Sequence, residues 1–335
     1  MNLSRIHRLV KLIGLLQGGS RHNTDSLAQA CEVSRRTIFR DLDTLRQAGI
    51  PFREGEPLSR HTSMGVGGEA AVMAFPRSAA ELETALRIRA DQDAPHRVLG
   101  GGSNLVVADE GLDELVVHTG SMRGVTIHED GAVTAEAGAN LIGTAVKCCR
   151  AGWRGLESAV GIPGSVGGAA VMNAGAYGFS ISDSLREITV YDENGDRTEP
   201  PEGWRFHYRG SSIPEGAAVG AVTVDLEKDD PADLERETRA IAEKRRTSQP
   251  SGRNAGCVFK NPEGGHAGRM LDELGLKGLR RGRAVISPRH ANFVVNEGGA
   301  SAADVLGLID DVRERVRAAK GVDLELEVKV WGPQP

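Results

Sequence analysis

The sequence predicts an α+β protein preceded by a small all-α head, on three observations. From residue 56 onward, short apolar runs bounded by Gly, Asp and Asn alternate with segments of helical period. Two glycine-rich stretches, Gly100–Asn104 and Gly161–Gly178, stand about 60 residues apart within that part. Residues 1–55 carry nine Lys/Arg against five Asp/Glu, while the remainder carries 32 against 41, so a basic head sits on an acidic body. A chain of 335 residues can hold two or three domains. No run of 18 apolar residues is present, so no transmembrane span is expected. Arg5, His7, Arg8 and Lys11 interrupt any signal-type apolar stretch. Cys31, Cys148, Cys149 and Cys257 show no C-x-x-C spacing, so no metal site is expected. The adjacent Cys148 and Cys149 read as buried small hydrophobes. These features fit a soluble, reduced, cytoplasmic protein without membrane attachment.

In the head, Ile6, Leu9, Val10, Ile13 and Leu16 recur at helical spacing, predicting a helix over 4–17 ended by Gly18-Gly19. Thr24 or Asp25 can cap a second helix running through Cys31. Ser34 can cap a third over Arg35–Ala48, stopped by Gly49 and Pro51. Three helices with a tight turn before the last make a helix-turn-helix. SRRTIFRDLDTLRQAGI resembles the recognition segment of DeoR-like and biotin-repressor-like regulators. That resemblance implies DNA contacts by Arg35, Arg36, Thr37 and Arg40 in the major groove. The β-hairpin wing usual in those regulators is missing, because Arg53–Pro57 leads straight into the body.

In the body, strands are expected at Val72–Phe75, Val98–Leu99, Leu115–His118, Val125–His128, Ala132–Glu136, Ile188–Asp192 and Val219–Leu226. Helices are expected at Ser78–Arg89, Leu141–Ala151, Asp233–Arg246, Gly268–Leu274 and Ala302–Ala319. Leu324–Val330 alternates, which predicts a strand with Glu325 and Glu327 on one face.

The glycine clusters carry the first functional signal. Gly161–Gly178 holds six glycines, and its largest residues are Met172 and Tyr177. Glycine costs about 0.5–1 kcal/mol relative to Ala in regular structure, so such density belongs where backbone must approach something closely. The stretch has neither the Gly-Lys-Ser/Thr of a P-loop nor the G-x-G-x-x-G dinucleotide spacing. Gly100-Gly101-Gly102-Ser103-Asn104, following an apolar pair, is suited to an anion nest of convergent N–H groups. Together the clusters suggest one extended ligand held at two points.

Six motifs then occur in order: LGGGSNLVV (Leu99–Val107), GIPGSVGGAAVMNAGAYG (Gly161–Gly178), YRGSSIP (Tyr208–Pro214), NAGCVFKNP (Asn254–Pro262), SPRHANFVVN (Ser287–Asn296) and LEVKVWG (Leu326–Gly332). Over residues 56–333 the chain resembles the UDP-N-acetylenolpyruvoylglucosamine reductase family. The resemblance implies a two-subdomain FAD-binding fold of the vanillyl-alcohol-oxidase type over 56–228. It implies an α/β substrate domain over 229–335, with the helix-turn-helix over 1–55. FAD, held non-covalently, would contact Thr62, Gly100, Gly101, Gly102, Ser103, Asn104, Gly161, Ile162, Pro163, Gly164, Val166, Gly167 and Asn173. Thr62 lies in Pro57–Ala70, which resembles the strand by which the family's chain enters beside the flavin.

The implied reaction is NADPH-dependent reduction of an enolpyruvyl UDP-sugar to UDP-N-acetylmuramate, as in UDP-N-acetylmuramate dehydrogenases of peptidoglycan synthesis. Hydride passes from FAD N5 to C3 of the substrate and a proton goes to C2. Arg209 and Glu327 would stabilise the enolic intermediate. Cys257 occupies the position where most of the family carries the proton-donating Ser. A thiol with the ordinary pKa of about 8.5 is mostly protonated at neutral pH and can fill that role. Tyr208, Lys260, Asn261, His290 and Asn292 would line the substrate pocket, with Lys260 a point charge for the diphosphate. A different reading keeps the head as the working part: a transcription regulator whose flavoprotein body senses the wall precursor.

Overall fold

The computed structural model describes residues 49–90, 95–192 and 195–332. The helices expected in the head, and Arg35, Arg36, Thr37 and Arg40 with them, lie outside the described residues.

The first unit is a four-stranded sheet in the order Phe52–Pro57, Glu69–Ala74, Leu112–His118, His96–Leu99. The first two strands are antiparallel and the others parallel. Both faces are apolar. Val72, Ala74, Leu115 and Val117 pack with Leu82 and Leu86 of the helix Ala79–Ala90, while Met73, Val116, Leu58 and Leu99 fill the other face. That alternation is the period-two pattern of a strand buried on both sides. The expected strand through Pro57–Ala70 is not formed. Pro57 ends one strand, Leu58–Arg60 makes a single 3-10 turn, and Gly65 and Gly67 at φ +70° and +122° carry the chain round to Glu69. Because Phe52–Pro57 pairs inside this sheet, the expected division at 55/56 falls within a strand.

The second unit is a five-stranded antiparallel sheet in the order Gly195–Glu199, Leu185–Asp192, Ala218–Asp225, Ala132–Glu136, Val125–Ile127. Val133, Ile188, Val190, Val222 and Val224 form its core with Leu141, Ala145 and Cys148 of the helix Leu141–Arg150. Asn140 caps that helix by accepting from the Gly143 N–H at 2.8 Å. Cys148 and Cys149 are both buried free thiols, as expected for small hydrophobes. Burial pushes their pKa values up to about 11 and about 12.

Helix Pro231–Ser248, with Asp230 as N-cap and Pro231 in the first turn, packs onto this second unit. Its Ile241 lies against that core. The expected division at 228/229 therefore cuts through one packed body.

The third unit is a three-stranded sheet, Arg280–Arg281, Ala284–Ile286 and Val294–Asn296, under the long helix Ala302–Lys320. Val305, Leu308, Ile309, Val312 and Val316 on that helix pack with Phe259, Ile286 and Val294. A Ser301/Asp304 capping box starts the helix and Gly321 at φ +66° ends it. Met64, Val66 and Val106 of the first unit enter the same core. The chain's last strand, Lys329–Trp331, pairs in parallel with Leu105–Val107 directly after the first glycine cluster. Leu105 and Val107 pack in the core of the first unit and Val106 in that of the third, so this two-stranded pairing locks the third unit onto the first. Among the described residues, no helix is long and apolar enough to cross a membrane.

Candidate active site

The two glycine clusters meet. A Cβ on Gly101 would lie 2.9 Å from Gly164 Cα and from the Ser165 nitrogen, and one on Gly102 would lie 1.9 Å from the His61 carbonyl oxygen. Ser103 Oγ donates to the Pro163 carbonyl at 3.0 Å, and the Gly101 N–H donates to Ser165 Oγ at 3.2 Å. The result is a cradle of bare backbone tied together by the small Ser103 and Ser165 hydroxyls. Among the described residues no protein acceptor takes the backbone N–H groups of Gly102, Ser103 or Asn104. Unspent, closely spaced N–H groups on a bare main chain fit the pyrophosphate of FAD.

Not every residue assigned to the cofactor faces it in the same way. The N–H groups of Val166 and Gly167 donate to the Ala139 and Ala137 carbonyls, both at 2.9 Å. Val166 is buried in the second core, and a Cβ on Gly167 would meet Ala137 Cβ at 2.7 Å. In both, the N–H group and the smallness already serve strand–helix packing. Asn173, in a left-handed conformation at φ +41°, is buried. Its amide donates to the His207 carbonyl at 3.1 Å and accepts from the Ser182 N–H at 3.3 Å. It braces a hairpin with one amide N–H and one lone pair of its oxygen. Thr62 is buried, with Oγ1 donating to the Val66 carbonyl at 3.1 Å. Gly161 and Ile162 close the 3-10 turn beside Pro163 and Gly164.

The hairpin braced by Asn173, Phe206–His207 with Gly210–Ser211, presents Tyr208 and Arg209 at its tip. Arg209 holds φ +60°, a costly conformation for a residue with a Cβ. Its guanidinium carbon sits 4.9 Å from the Tyr208 ring centroid, and its Nε donates to Glu327 Oε1 at 2.8 Å. Both side chains of this pair are mostly buried, at 22% and 16% exposure.

Glu327 does not lie in the expected strand. Only Lys329–Trp331 is strand; Leu326 makes an isolated bridge to Phe259, and the Glu327 N–H donates to the Val258 carbonyl at 2.8 Å. The chain pairs first with the 257–259 segment and then crosses to Leu105–Val107, so it bends between. Consequently Glu325 and Glu327 do not share a face. Glu325 is exposed and holds Lys260 Nζ at 2.6 Å, whereas Glu327 points to Arg209.

Arg209, Glu327 and Cys257 line one cleft of about 460 Å³, together with Tyr208, Asn261, His290 and Asn292. Burial pushes the Cys257 thiol up to about 12; the Glu327 charge adds to the shift and Arg209, Asn292 and Arg245 oppose it. The ordinary thiol pKa expected from sequence is thus corrected: desolvation beside a carboxylate holds the proton on sulfur far into the alkaline range. Burial also raises Glu327, against the pull of Arg209. Burial and the nearby Lys277 charge lower the pKa of His290. Asn292 is buried and clamps Phe259, accepting from its N–H at 3.0 Å and donating to its carbonyl at 2.8 Å. Asn261 Oδ1 accepts from the Ala267 N–H at 3.1 Å, fixing the start of helix Ala267–Glu273.

Lys260 stands between the cleft residues Phe259 and Asn261, with its ammonium held by Glu325 at 2.6 Å. The cations that do line the cleft, Arg269, Lys277 and Arg289, went unassigned by sequence reasoning. The available signal was six Lys/Arg between 269 and 289 in an otherwise acidic body.

The chain matches the FAD binding domain model over residues 70–199 and the C-terminal domain model of UDP-N-acetylenolpyruvoylglucosamine reductase over 248–331. An HTH domain model matches residues 5–53. The UDP-N-acetylenolpyruvoylglucosamine reductase of Moorella thermoacetica is 44% identical over 291 residues, covering 85% of this chain and 96% of that one. The Heliobacterium modesticaldum protein of the same name is 44% identical, covering 84% and 91%. The crystal structure of the reductase (MurB) from Thermus caldophilus superposes with a TM-score of 0.73 at 39% identity, covering 84% of this chain and 99% of that one. With this coverage, and a cradle and cleft built from the motifs that suggested it, the chain belongs to the UDP-N-acetylenolpyruvoylglucosamine reductase family, with a helix-turn-helix domain at its head.

Proposed function

We propose that the protein catalyses the NADPH-dependent reduction of the enolpyruvyl ether of UDP-N-acetylglucosamine to UDP-N-acetylmuramate, in peptidoglycan synthesis. The observation that supports this reading most is the convergence of Arg209, Glu327 and Cys257, from three distant stretches, on one cleft. Bound FAD would store the hydride taken from NADPH and pass it to C3 of the enolpyruvyl group. Gly102, Ser103 and Asn104 offer their N–H groups to its pyrophosphate, with Gly100, Gly101 and Gly161–Gly164 forming the surrounding bare backbone.

Arg209, held in one geometry by its hairpin and by Glu327, neutralises charge that develops on the substrate carboxylate and enolic oxygen. Glu327, bonded to Arg209 Nε, stabilises the enolic intermediate together with it. Cys257 then delivers its thiol proton to C2; with a pKa of about 12 the thiol is fully loaded at neutral pH. Arg269 and Arg289 provide positive charge suited to a diphosphate, while Lys277, like Lys260, is ion-paired, with Asp272 at 2.7 Å.

The test separates the half-reactions. Cys257→Ala should leave flavin reduction by NADPH nearly intact and slow flavin reoxidation by the enolpyruvyl sugar. Equal loss in both would remove Cys257 as proton donor.

The match of an HTH model to residues 5–53 supports a second activity, DNA binding by the head. In its strongest form, the body is a flavoprotein sensor of the wall precursor that regulates transcription. Sugar-dependent NADPH oxidation distinguishes the enzyme from that sensor. A mobility shift no stronger with promoter DNA than with random duplex would remove the specific-regulator reading.

A further inference from the structure

We propose that Asn104 is a positioning residue for Glu327, joining the glycine cradle to the acid group of the cleft. The proposal rests on the role given to Glu327 above. Asn104 Nδ2 donates to the Glu327 carbonyl at 3.0 Å, across 223 positions of sequence. The Asn104 carbonyl accepts from the Lys329 N–H at 3.0 Å, which opens the parallel pairing of Lys329–Trp331 with Leu105–Val107. On its other side, the Glu327 N–H is taken by the carbonyl of Val258, the neighbour of Cys257.

Glu327 lies in a bend, outside the strand that follows it, so no ladder fixes its backbone. Its amide N–H goes to the Val258 carbonyl at 2.8 Å, which also takes the Val328 N–H at a longer 3.3 Å, and its carbonyl is held by the Asn104 side chain. With both in place, the carboxylate is delivered to Arg209 at 2.8 Å. Without the Asn104 amide, the carbonyl of a half-buried bend has lost its donor, and the peptide between Glu327 and Val328 keeps only the long Val328 bond to Val258. An Asn is suited to this place. Its side chain donates to the carbonyl while its own N–H stays on the cradle side for the cofactor. An Asp would set a carboxylate against a carbonyl oxygen and could not donate. The loop that receives the pyrophosphate and the residue that holds the catalytic carboxyl are therefore one and the same.

The experiment compares Asn104→Ala, Glu327→Gln and the double variant, each as flavin-loaded protein, by rapid-mixing absorbance. Flavin content, flavin reduction by NADPH and flavin reoxidation by the enolpyruvyl sugar are read separately. Asn104→Ala is expected to slow reoxidation by about ten- to hundredfold, the range for a catalytic group displaced by up to an ångström. Reduction should fall much less. In the Glu327→Gln background the same change should add no more than about twofold, the scatter of independent sites. In flavin-free protein, amides of residues 326–331 should exchange hydrogen faster in Asn104→Ala than in the parent.

Multiplicative effects in the double variant would overturn the proposal. So would a fall of both half-reactions in proportion to flavin content, which would assign Asn104 to the cofactor alone, or unchanged exchange at 326–331. Parent-like reoxidation in Glu327→Gln would refute the functional reading instead; the exchange rates then decide separately whether Asn104 holds the segment.

Discussion

Gly102→Ala puts the cradle geometry to a quantitative test. Gly102 sits at φ +59°, and a Cβ there would lie 1.9 Å from the His61 carbonyl oxygen, where real contacts essentially never fall below 3.0 Å. Backbone must therefore move by at least 1.1 Å. The His61 segment is poorly placed to give way. Its ring is held by Glu56 Oε1 at 2.8 Å, and the next residue but one, Ser63, donates its N–H to the Gly102 carbonyl at 3.0 Å. Overpacking of this kind costs about 1–3 kcal/mol, and the left-handed conformation adds about 1 kcal/mol for a residue with a Cβ. We expect a loss of about 3 kcal/mol in urea unfolding, together with loss of retained flavin on dilution.

The control is Gly178→Ala. Gly178 also has positive φ, +84°, but nothing lies within 4 Å of its Cβ position. It should lose only the conformational part, about 1 kcal/mol, and keep its flavin. Flavin absorbance after gel filtration and the urea midpoint give both quantities. Equal stability and equal flavin content in the two variants would refute the close-approach argument for the cradle.

Three further outcomes are expected. Glu327→Gln leaves the largely buried Arg209 guanidinium unpaired; breaking a fully buried pair costs about 3–5 kcal/mol, and the partial exposure here reduces that to about 2 kcal/mol. A change below about 0.5 kcal/mol in urea unfolding would contradict it. Cys257 titrates at about 12 in the folded chain against a reference of 9.0, so the folded state keeps a proton that the unfolded state gives up between those values. That contribution is whole below the lower value and falls as pH rises, by about 1 kcal/mol near pH 10. Cys257→Ser should lack this part of the alkaline decline in paired unfolding curves, since Cys148 and Cys149 are common to both proteins; identical slopes would refute the assignment. Asn173→Ala removes both bonds bracing the Arg209 hairpin and should cost about 1–2 kcal/mol of stability. Turnover should drop while flavin content holds, and loss of flavin in place of turnover would return Asn173 to the cofactor.

The mixed α/β class, the family, and most helices and strands of the body were legible in the chain before any coordinates. Local signals are strong there: Asn140, Asp230 and Ser301 cap their helices, and Val133, Ile188 and Val222 alternate at strand period. Both glycine clusters also stood out, because glycine density is visible without coordinates. Tertiary structure alone decided what those small residues are for. Gly102 is small because a carbonyl passes it, and Gly167 because Ala137 packs on it; the two look alike in the chain. Lys260, Arg269, Lys277 and Arg289 carry the same charge, and only folding shows that Glu325 holds Lys260 and Asp272 holds Lys277. The thiol pKa of Cys257 likewise depends on burial beside Glu327, 70 residues away in sequence. Propensity and period act over a few residues, whereas desolvation, charge pairing and steric closeness arise between segments that meet only on folding. The fold was therefore legible from the chain, and the site's chemistry was legible only in part.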